Sequence, residues 1–116
     1  MLKSLLGQSA ESRAEAFLKT HGLKLVTRNW RSRFGEIDLI MQDASTLVFI
    51  EVRLRSRNDF GGAAASVTPA KQKKLLATAR QYLSTLRVLP PCRFDVVALS
   101  GDTPPEWIRN AFDDMG

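Results

Sequence analysis

The fold is decided by residues 35–55, which read GEIDLIMQDASTLVFIEVRLR. Two apolar runs rich in β-branched residues flank a short polar break, and this pattern predicts a β-hairpin. The second run is apolar on both faces, with Leu47 and Phe49 on one face and Val48 and Ile50 on the other. Because a strand that is apolar on both faces is typical of the middle of a sheet, we expect this strand to be central and buried.

Acidic side chains lie in both arms of the hairpin. If Ala44 and Ser45 form the turn, the numbers of directly opposed residues sum to 89, so that Asp38 faces Glu51. Opposed side chains have Cβ atoms about 5 Å apart, and two carboxylates that close repel each other unless a proton or a cation lies between them. Oxygen ligands on a rigid hairpin suit a hard cation such as Mg²⁺.

A structural interpretation of these residues is also open. In the same register Glu36 faces Arg53, and the two could form an ordinary cross-strand ion pair on a solvated face. Against this, Glu51 comes at the end of an apolar strand, where carboxylates are seldom unpaired. The pattern alone supports a functional acidic site and a structural salt bridge equally.

The composition indicates an ordinary globular chain, and we expect one domain over residues 1–116. No apolar run approaches the length of a membrane span, and the apolar start of the chain is too short for a signal peptide. One cysteine, Cys92, and one histidine, His21, exclude an internal disulfide and a zinc site built from these two residues. We therefore expect a cytoplasmic protein without a membrane partner, and the net charge of +5 favours polyanionic partners.

Residues 9–21 are predicted to form the first helix, with Ser9 as the N-cap and Gly22 as the C-terminal stop. Its apolar stripe consists of Ala10, Ala14, Phe17, Leu18 and His21. Glu11 and Glu15 flank this stripe. Either glutamate could reach over the sheet towards the acidic hairpin, and a solvated position is the commoner alternative.

Residues 23–33 are predicted to form a first strand that leads into the hairpin. Here Arg31 and Arg33 follow Trp30, and arginine beside an aromatic residue can bind a nucleic-acid backbone and stack on a base. A core position for Trp30 is the alternative. After the hairpin, residues 56–67 form a long glycine-containing loop in which Phe60 could be a dimer contact, a wedge against DNA or a tucked-in residue.

The second helix is predicted to begin after Thr68, which serves as the N-cap, with Pro69 at the first helical position. Lysines fill its first turn, where the helix dipole disfavours cations, and this indicates a phosphate-binding edge unless they are merely solvated. The predicted buried face consists of Leu75, Leu76, Ala79, Tyr82, Leu83 and Leu86. Gln72 continues that face towards the sheet.

Residues 93–100 are predicted to form a fourth strand. A strand–helix–strand crossover of this length makes that strand parallel to the third, with a right-handed connection. Residues 106–112 add a short edge segment. The order α-β-β-β-α-β with a tail predicts an α/β fold with a mixed central sheet flanked by helices.

This arrangement resembles the PD-(D/E)xK nuclease superfamily, the restriction-endonuclease-like fold that archaeal Holliday-junction resolvases share. More closely, the chain resembles the YraN-like family of small bacterial proteins. The matching stretches are residues 10–11, 29–31, 35–40, 48–53, 71–72, 93–97 and 110–112. The resemblance therefore extends over nearly the whole chain, in order.

The resemblance implies a set of site residues. Asp38 and Glu51 match the metal-binding carboxylates of the superfamily, and the backbone carbonyl of Val52 would be a further ligand of Mg²⁺ or Mn²⁺. Glu11 matches the acidic residue on the first helix, and Gln72 matches a polar residue on the following helix. The expected function is a metal-dependent endonuclease that acts on nucleic acid, on DNA more than on RNA, and on branched or structured substrates.

Arg53 stands where the family usually has lysine. Lysine in such sites is thought to orient or deprotonate the attacking water, whereas arginine can grip a phosphate but cannot act as a base. The alternative function is therefore a catalytically silent nucleic-acid-binding module. A weaker third interpretation is a protein–protein adaptor that forms a homodimer through the loop around Phe60.

Under either nucleic-acid hypothesis, basic residues position the phosphate backbone. The predicted contacts are Arg31, Arg33, Arg55, Lys71, Lys73 and Lys74. Glu36, Phe60 and Asp95 receive no settled role from the resemblance.

Overall fold

A computed structural model describes residues 2–54, 67–101 and 103–112, with side chains from residue 10 onward. The elements are α1 (Leu2–Thr20), β1 (Lys24–Ser32), β2 (Gly35–Asp43), β3 (Thr46–Leu54), α2 (Pro69–Leu83), β4 (Cys92–Leu99) and β5 (Glu106–Phe112). The strands form one sheet in the order β1-β2-β3-β4-β5, in which β3 and β4 are parallel and the other neighbours are antiparallel. The predicted α/β fold with a mixed sheet, a parallel fourth strand and an edge segment is confirmed.

The central hairpin has the predicted register. Leu39 pairs with Ile50 and Asp43 pairs with Thr46, and every pair between them also sums to 89. The turn consists of two residues, of which Ala44 has a φ of 54°, as tight hairpin turns require. The next step in this register brings Asp38 to the level of Glu51.

The sheet is covered on both faces, and β3 contributes to both cores. Leu47 and Phe49 pack on the face that α2 covers, and Val48 and Ile50 pack on the face that α1 covers. The predicted central, buried strand is confirmed. None of the described helices is both long and apolar enough to cross a membrane.

The start of α1 differs from the prediction. The helix begins at Leu2, so Ser9 lies inside it and is not an N-cap. Residues 2–8 are mostly good helix formers, and one glycine among them costs only about 1 kcal/mol, which does not end a helix. The C-terminal prediction is confirmed, because Gly22 follows the helix in the left-handed region with a φ of 92°.

The start of α2 agrees with the prediction. Thr68 has extended dihedrals, and its hydroxyl accepts a hydrogen bond from the Lys71 N–H at 3.2 Å. The predicted apolar residues all pack on the α2-side core, although Leu86 lies beyond the end of the helix at Leu83. Thr78 is also fully buried, which the pattern did not predict. Its burial is tolerated because its hydroxyl donates a hydrogen bond to the Lys74 carbonyl at 2.8 Å.

Candidate active site

A cleft of about 650 Å³ opens beside the central strands, between α1 and the N-terminal turn of α2. The charged residues that line it are Glu11, Glu36, Asp38, Glu51, Arg53, Lys71 and Lys74. Val52 of β3 and Gly35 of β2 also line this cleft. Most of the residues predicted to form a catalytic site therefore share one cleft.

Two carboxyl groups meet at the floor of this cleft. The side chain of Asp38 is hydrogen-bonded to that of Glu51, and its Oδ2 accepts the Val52 N–H at 2.8 Å. Burial, reinforced by the negative charge of Glu51 and of Glu11, raises the pKa of Asp38 to about 8, although the Val52 N–H works in the opposite direction. Asp38 therefore holds a proton at neutral pH in the absence of a cation.

Glu51 is almost fully enclosed, with 6% of its surface exposed, and it receives two cationic groups. The Lys71 Nζ lies 2.5 Å from Glu51 Oε2, and the Arg53 Nη1 lies 3.5 Å from the same oxygen. One cation comes from α2 and the other from β3 itself. The site thus combines a buried acidic pair with a basic rim.

The alternation of side chains along β2 is interrupted beside the cleft. Ile37 and Ile40 are three residues apart, yet both pack on the α2-side core, so the alternation of a regular strand is broken around Asp38. In the β1–β2 register the residue across from Asp38 is Asn29, whose φ is 50°. An asparagine in this region tolerates the left-handed backbone and lets the paired strands change face.

The same asparagine also positions Glu11. The Asn29 Nδ2 donates to Glu11 Oε1 at 2.7 Å, which holds this α1 carboxylate at the edge of the cleft. Sequence reasoning did not single out Asn29. The available signal was an asparagine in the interior of a predicted strand, which is unfavourable there unless the backbone is special.

The other glutamate of α1 has a different environment. Glu15 is buried against the sheet, where Arg28 binds it through two hydrogen bonds of 2.6 and 2.9 Å and Lys19 approaches it at 2.7 Å. The hydrogen bond from Arg28 lowers the pKa of Glu15. Glu15 therefore ties α1 to β1 and does not reach the cleft.

Gln72 is not brought into the site. Its Nε2 donates to the Val67 carbonyl at 3.0 Å, so its amide holds the segment before α2. Within the described part of the chain, Lys73 also lies outside the cleft wall, whereas Lys71 and Lys74 belong to it. The reason is helical geometry, because residues 71, 74 and 75 share one face of α2.

The predicted basic contacts on β1 and in the turn that follows it have partners within the protein. The Arg31 Nε is 2.5 Å from Glu36 Oε2, so Glu36 forms an ion pair with β1. Arg33 lies over the ring of Phe34 at 4.9 Å. The predicted contacts Arg55 and Phe60 lie outside the described residues.

Two residues with open assignments have structural environments. Trp30 packs on the α2-side core and meets the Tyr82 ring edge-on, with centroids 5.3 Å apart. Asp95 is 1% exposed and is bound by Arg93, by the Trp107 Nε1 at 2.9 Å and by the Asn110 N–H at 2.9 Å. Asp95 therefore joins β4 to β5 and lies outside the cleft wall.

A known family model matches most of this chain. The model of "Uncharacterised protein family UPF0102" matches residues 10–99. The chain belongs to the UPF0102 family. The predicted YraN-like membership is thereby confirmed.

Relatives in this family are close in length and sequence. A UPF0102 protein of Nitrosospira multiformis is 57% identical over 115 residues, which cover 97% of each chain. A UPF0102 protein of Nitrosomonas europaea is 56% identical over 110 residues and 93% of each chain. A UPF0102 protein of Cupriavidus pinatubonensis is 59% identical over 108 residues, 92% of this chain and 84% of that one. Their names state the family alone, so the chemistry must be argued from the site.

The donor set of this UPF0102 protein fits a hard divalent cation. Within residues 2–54, 67–101 and 103–112, no three carboxylate, imidazole or thiol groups converge into a complete protein-ligand set. Mg²⁺ does not need one, since it commonly binds through one or two carboxylates together with water and substrate phosphate. Asp38 and Glu51 offer such a pair, and a cation between them would relieve the repulsion that raises the pKa of Asp38.

Proposed function

We propose that this UPF0102 protein is a metal-dependent endonuclease that hydrolyses phosphodiester bonds in nucleic acid, preferentially in structured DNA. The observation that carries the proposal is the contact between the half-buried Asp38 and the buried Glu51 in a cleft with a basic rim. The proposal includes membership of the PD-(D/E)xK superfamily. It is supported by the element order and by the positions of the two carboxylates on adjacent strands.

Asp38, Glu51 and the backbone carbonyl of Val52 would hold Mg²⁺ or Mn²⁺. When bound, such an ion lowers the pKa of water and offsets the negative charge that develops on phosphate. Glu11 lies at the edge of the cleft, held by Asn29, where it can accept a hydrogen bond from water. In this arrangement the acidic pair lies at the floor of the cleft and the phosphate-binding groups lie at its rim.

The rim favours a polyanionic substrate. Lys71 and Lys74 project from the first turns of α2 into the cleft, and Arg53 enters it from β3. Arginine can hold a phosphate through two parallel hydrogen bonds, and the N-terminal turn of a helix adds favourable backbone dipoles. Arg53 is therefore assigned to the scissile phosphate rather than to proton transfer, because its pKa is too high for a base.

A catalytically silent nucleic-acid-binding module is the second candidate. It is favoured by Arg53 at the position where the family usually has lysine, and by the 2.5 Å contact through which Lys71 already compensates Glu51. In this candidate the cleft binds the phosphate backbone through its cations, and the acidic pair orders the cleft without turnover. Both candidates predict salt-dependent binding, so cleavage is the quantity that separates them.

The decisive experiment measures cleavage with Mn²⁺ on labelled linear, flapped and four-way-junction DNA and on single-stranded RNA. Wild type is compared with Asp38→Asn, purified in parallel, to exclude a contaminating nuclease. Asp43→Asn is the matched control, because it makes the same chemical change on β2 outside the cleft, where Asp43 pairs with Arg93.

We expect wild type and Asp43→Asn to cut at least one DNA substrate and Asp38→Asn to be inactive. Cleavage that is equal in wild type and Asp38→Asn, or absent from all three proteins, would contradict the nuclease proposal. If only Arg53→Lys cuts, the wild-type chain is the silent binding module.

A further inference from the structure

The ion pair between Lys71 and Glu51 joins a half-exposed ammonium group to an enclosed carboxylate. The Lys71 side chain is 42% exposed, whereas that of Glu51 is 6% exposed, and their charged atoms are 2.5 Å apart. The Lys71 backbone is held separately, because its N–H donates to the Thr68 hydroxyl that caps α2. The ammonium can therefore swing away from Glu51 on its four-carbon stem while the helix stays in place.

This ammonium competes with any divalent cation for the same carboxylate oxygen. A cation held by Asp38 and Glu51 would come within a few ångströms of the Lys71 Nζ, where two positive charges repel strongly because the floor of the cleft is buried. The position of Lys71 at the cleft wall offers it another partner, since a phosphate in the cleft would lie within reach of the released ammonium.

We propose that Lys71 is the resident counterion of Glu51 and is exchanged for the divalent cation, after which it binds a phosphate of the nucleic acid. This inference rests on the proposed function and names Lys71 as a positioning residue that couples the two ligands. Binding free energies are reciprocal, so a phosphate that draws Lys71 away from Glu51 strengthens cation binding, and the cation strengthens phosphate binding.

The test measures Mn²⁺ binding directly, from the electron paramagnetic resonance signal of the free ion, without any cleavage assay. Wild type is compared with Lys71→Met, which keeps the apolar stem but removes the charge, and with Lys73→Met. Lys73 is the matched control on the same helix, because it lies outside the cleft wall. Each protein is titrated alone and again with a short duplex of phosphorothioate DNA.

We expect Lys71→Met to bind Mn²⁺ about tenfold more tightly than wild type, the size expected for one competing charge at a half-exposed position. Lys73→Met should stay within about twofold of wild type, because screening weakens charges outside the cleft. The duplex should tighten Mn²⁺ binding to wild type and to Lys73→Met but leave Lys71→Met nearly unchanged. Lys71→Gln provides a second neutral variant if Lys71→Met is poorly folded by circular dichroism.

Two results would overturn the inference, and they differ in what they say about the proposed function. If wild type and both Lys71 variants bind Mn²⁺ equally, and Asp38→Asn does not bind it, the metal site stands and the exchange by Lys71 is wrong. If none of these proteins binds Mn²⁺, the metal site itself is wrong and the exchange falls with it.

Discussion

Asp38 and Asp95 both lie on strands of the sheet, but different kinds of group surround their carboxyl oxygens. Asp95 is enclosed by donors, with Arg93 and the Trp107 Nε1 on its oxygens and a backbone N–H on one of them. Among the described residues, Asp38 accepts the Val52 N–H and faces a second carboxyl group, that of Glu51. Described donors thus surround the buried Asp95, whereas the half-buried Asp38 lies against a second acid, an arrangement that favours a proton or a cation on the pair.

The difference separates a structural carboxylate from a candidate functional one. A carboxylate that is fully bonded by protein donors contributes to stability and has no capacity left for a ligand. A carboxyl group that is buried against another acid opposes stability when it ionises, and such an arrangement is typical of sites that bind or react. The following predictions change one centre at a time, from the largest expected effect to the smallest.

The largest effect is expected for Asp38→Asn. The substitution removes an oxygen anion from the proposed metal site while preserving shape, so Mn²⁺-dependent cleavage should fall about 1,000-fold, or about 4 kcal/mol in the activation free energy. Urea denaturation should show that the variant is at least as stable as wild type at pH 7.5, because Glu51 no longer faces a second acid. A variant that loses stability instead would mean that Asp38 is structural, like Asp95.

Asp95→Asn should have the reverse profile. The side chain is fully buried and bonded to Arg93, so removal of its charge should lower the free energy of unfolding by about 3 kcal/mol. Cleavage per folded molecule should stay within about twofold of wild type, since Asp95 lies outside the cleft wall. Denaturant midpoints and rates measured on the same preparation check both statements, and a selective loss of rate would contradict them.

The pH dependence of stability should separate the two centres as well. The pKa of Asp38 is raised to about 8 by folding, so the folded state binds this proton more tightly than the unfolded state does. The stabilisation of the folded state by this proton is therefore fully present below about pH 4, and it is lost as the pH rises towards 8. Asparagine does not ionise, so the Asp38→Asn variant keeps its stability over this range. Its free energy of unfolding should therefore rise on the order of 2 kcal/mol relative to that of wild type between these pH values.

Urea titrations from pH 4.5 to 8.5 measure this difference. Saturating Mg²⁺ should remove most of it, because the cation replaces the proton in wild type and finds a weakened site in the variant. A difference that does not vary with pH would mean that Asp38 is ionised throughout the range.

The smallest effect is expected at Glu15, which is enclosed but bound by solvent-facing cations. Glu15→Gln should cost about 1 kcal/mol at pH 7, because Arg28 and Lys19 remain hydrated after the charge is lost. The lowered pKa of Glu15 means that its contribution is present above the unfolded pKa and is lost as the pH falls through the folded pKa. The two proteins should therefore converge once the pH falls below the folded pKa of Glu15, and unchanged divergence there would contradict the ion-pair account.

Much of the fold was predictable from local patterns. The register of β2 and β3 followed from a two-residue turn, because the length of a hairpin turn fixes which residues of its two strands oppose each other. Thr68 and Pro69 predicted the start of α2, because capping depends on residues that are adjacent in the chain. The parallel pairing of β3 with β4 followed from the length of the connection between them.

Other features of the structure depend on more than a local signal. Ser9 satisfies the requirements of an N-cap, but α1 begins at Leu2 because the residues before Ser9 also favour a helix. Gln72 lies on the predicted buried side of α2, yet its amide turns back to Val67, a bond that depends on the path of the preceding segment. Asn29 required knowledge of the backbone bend across from Asp38, which no spacing in the sequence reveals.

The sequence by itself determined the order of the strands and helices, the apolar character of the central strand on both faces, and the hairpin register that opposes Asp38 to Glu51. Only the tertiary structure decided which acidic side chains are bound by donors and cations and which lie against another acid. Glu11 and Glu15 are equivalent in the helical pattern, but Asn29 holds the first at the cleft and Arg28 holds the second against the sheet. The physical reason is that the charge state of a buried acid depends on donors and cations from distant segments, which only folding brings within hydrogen-bonding distance.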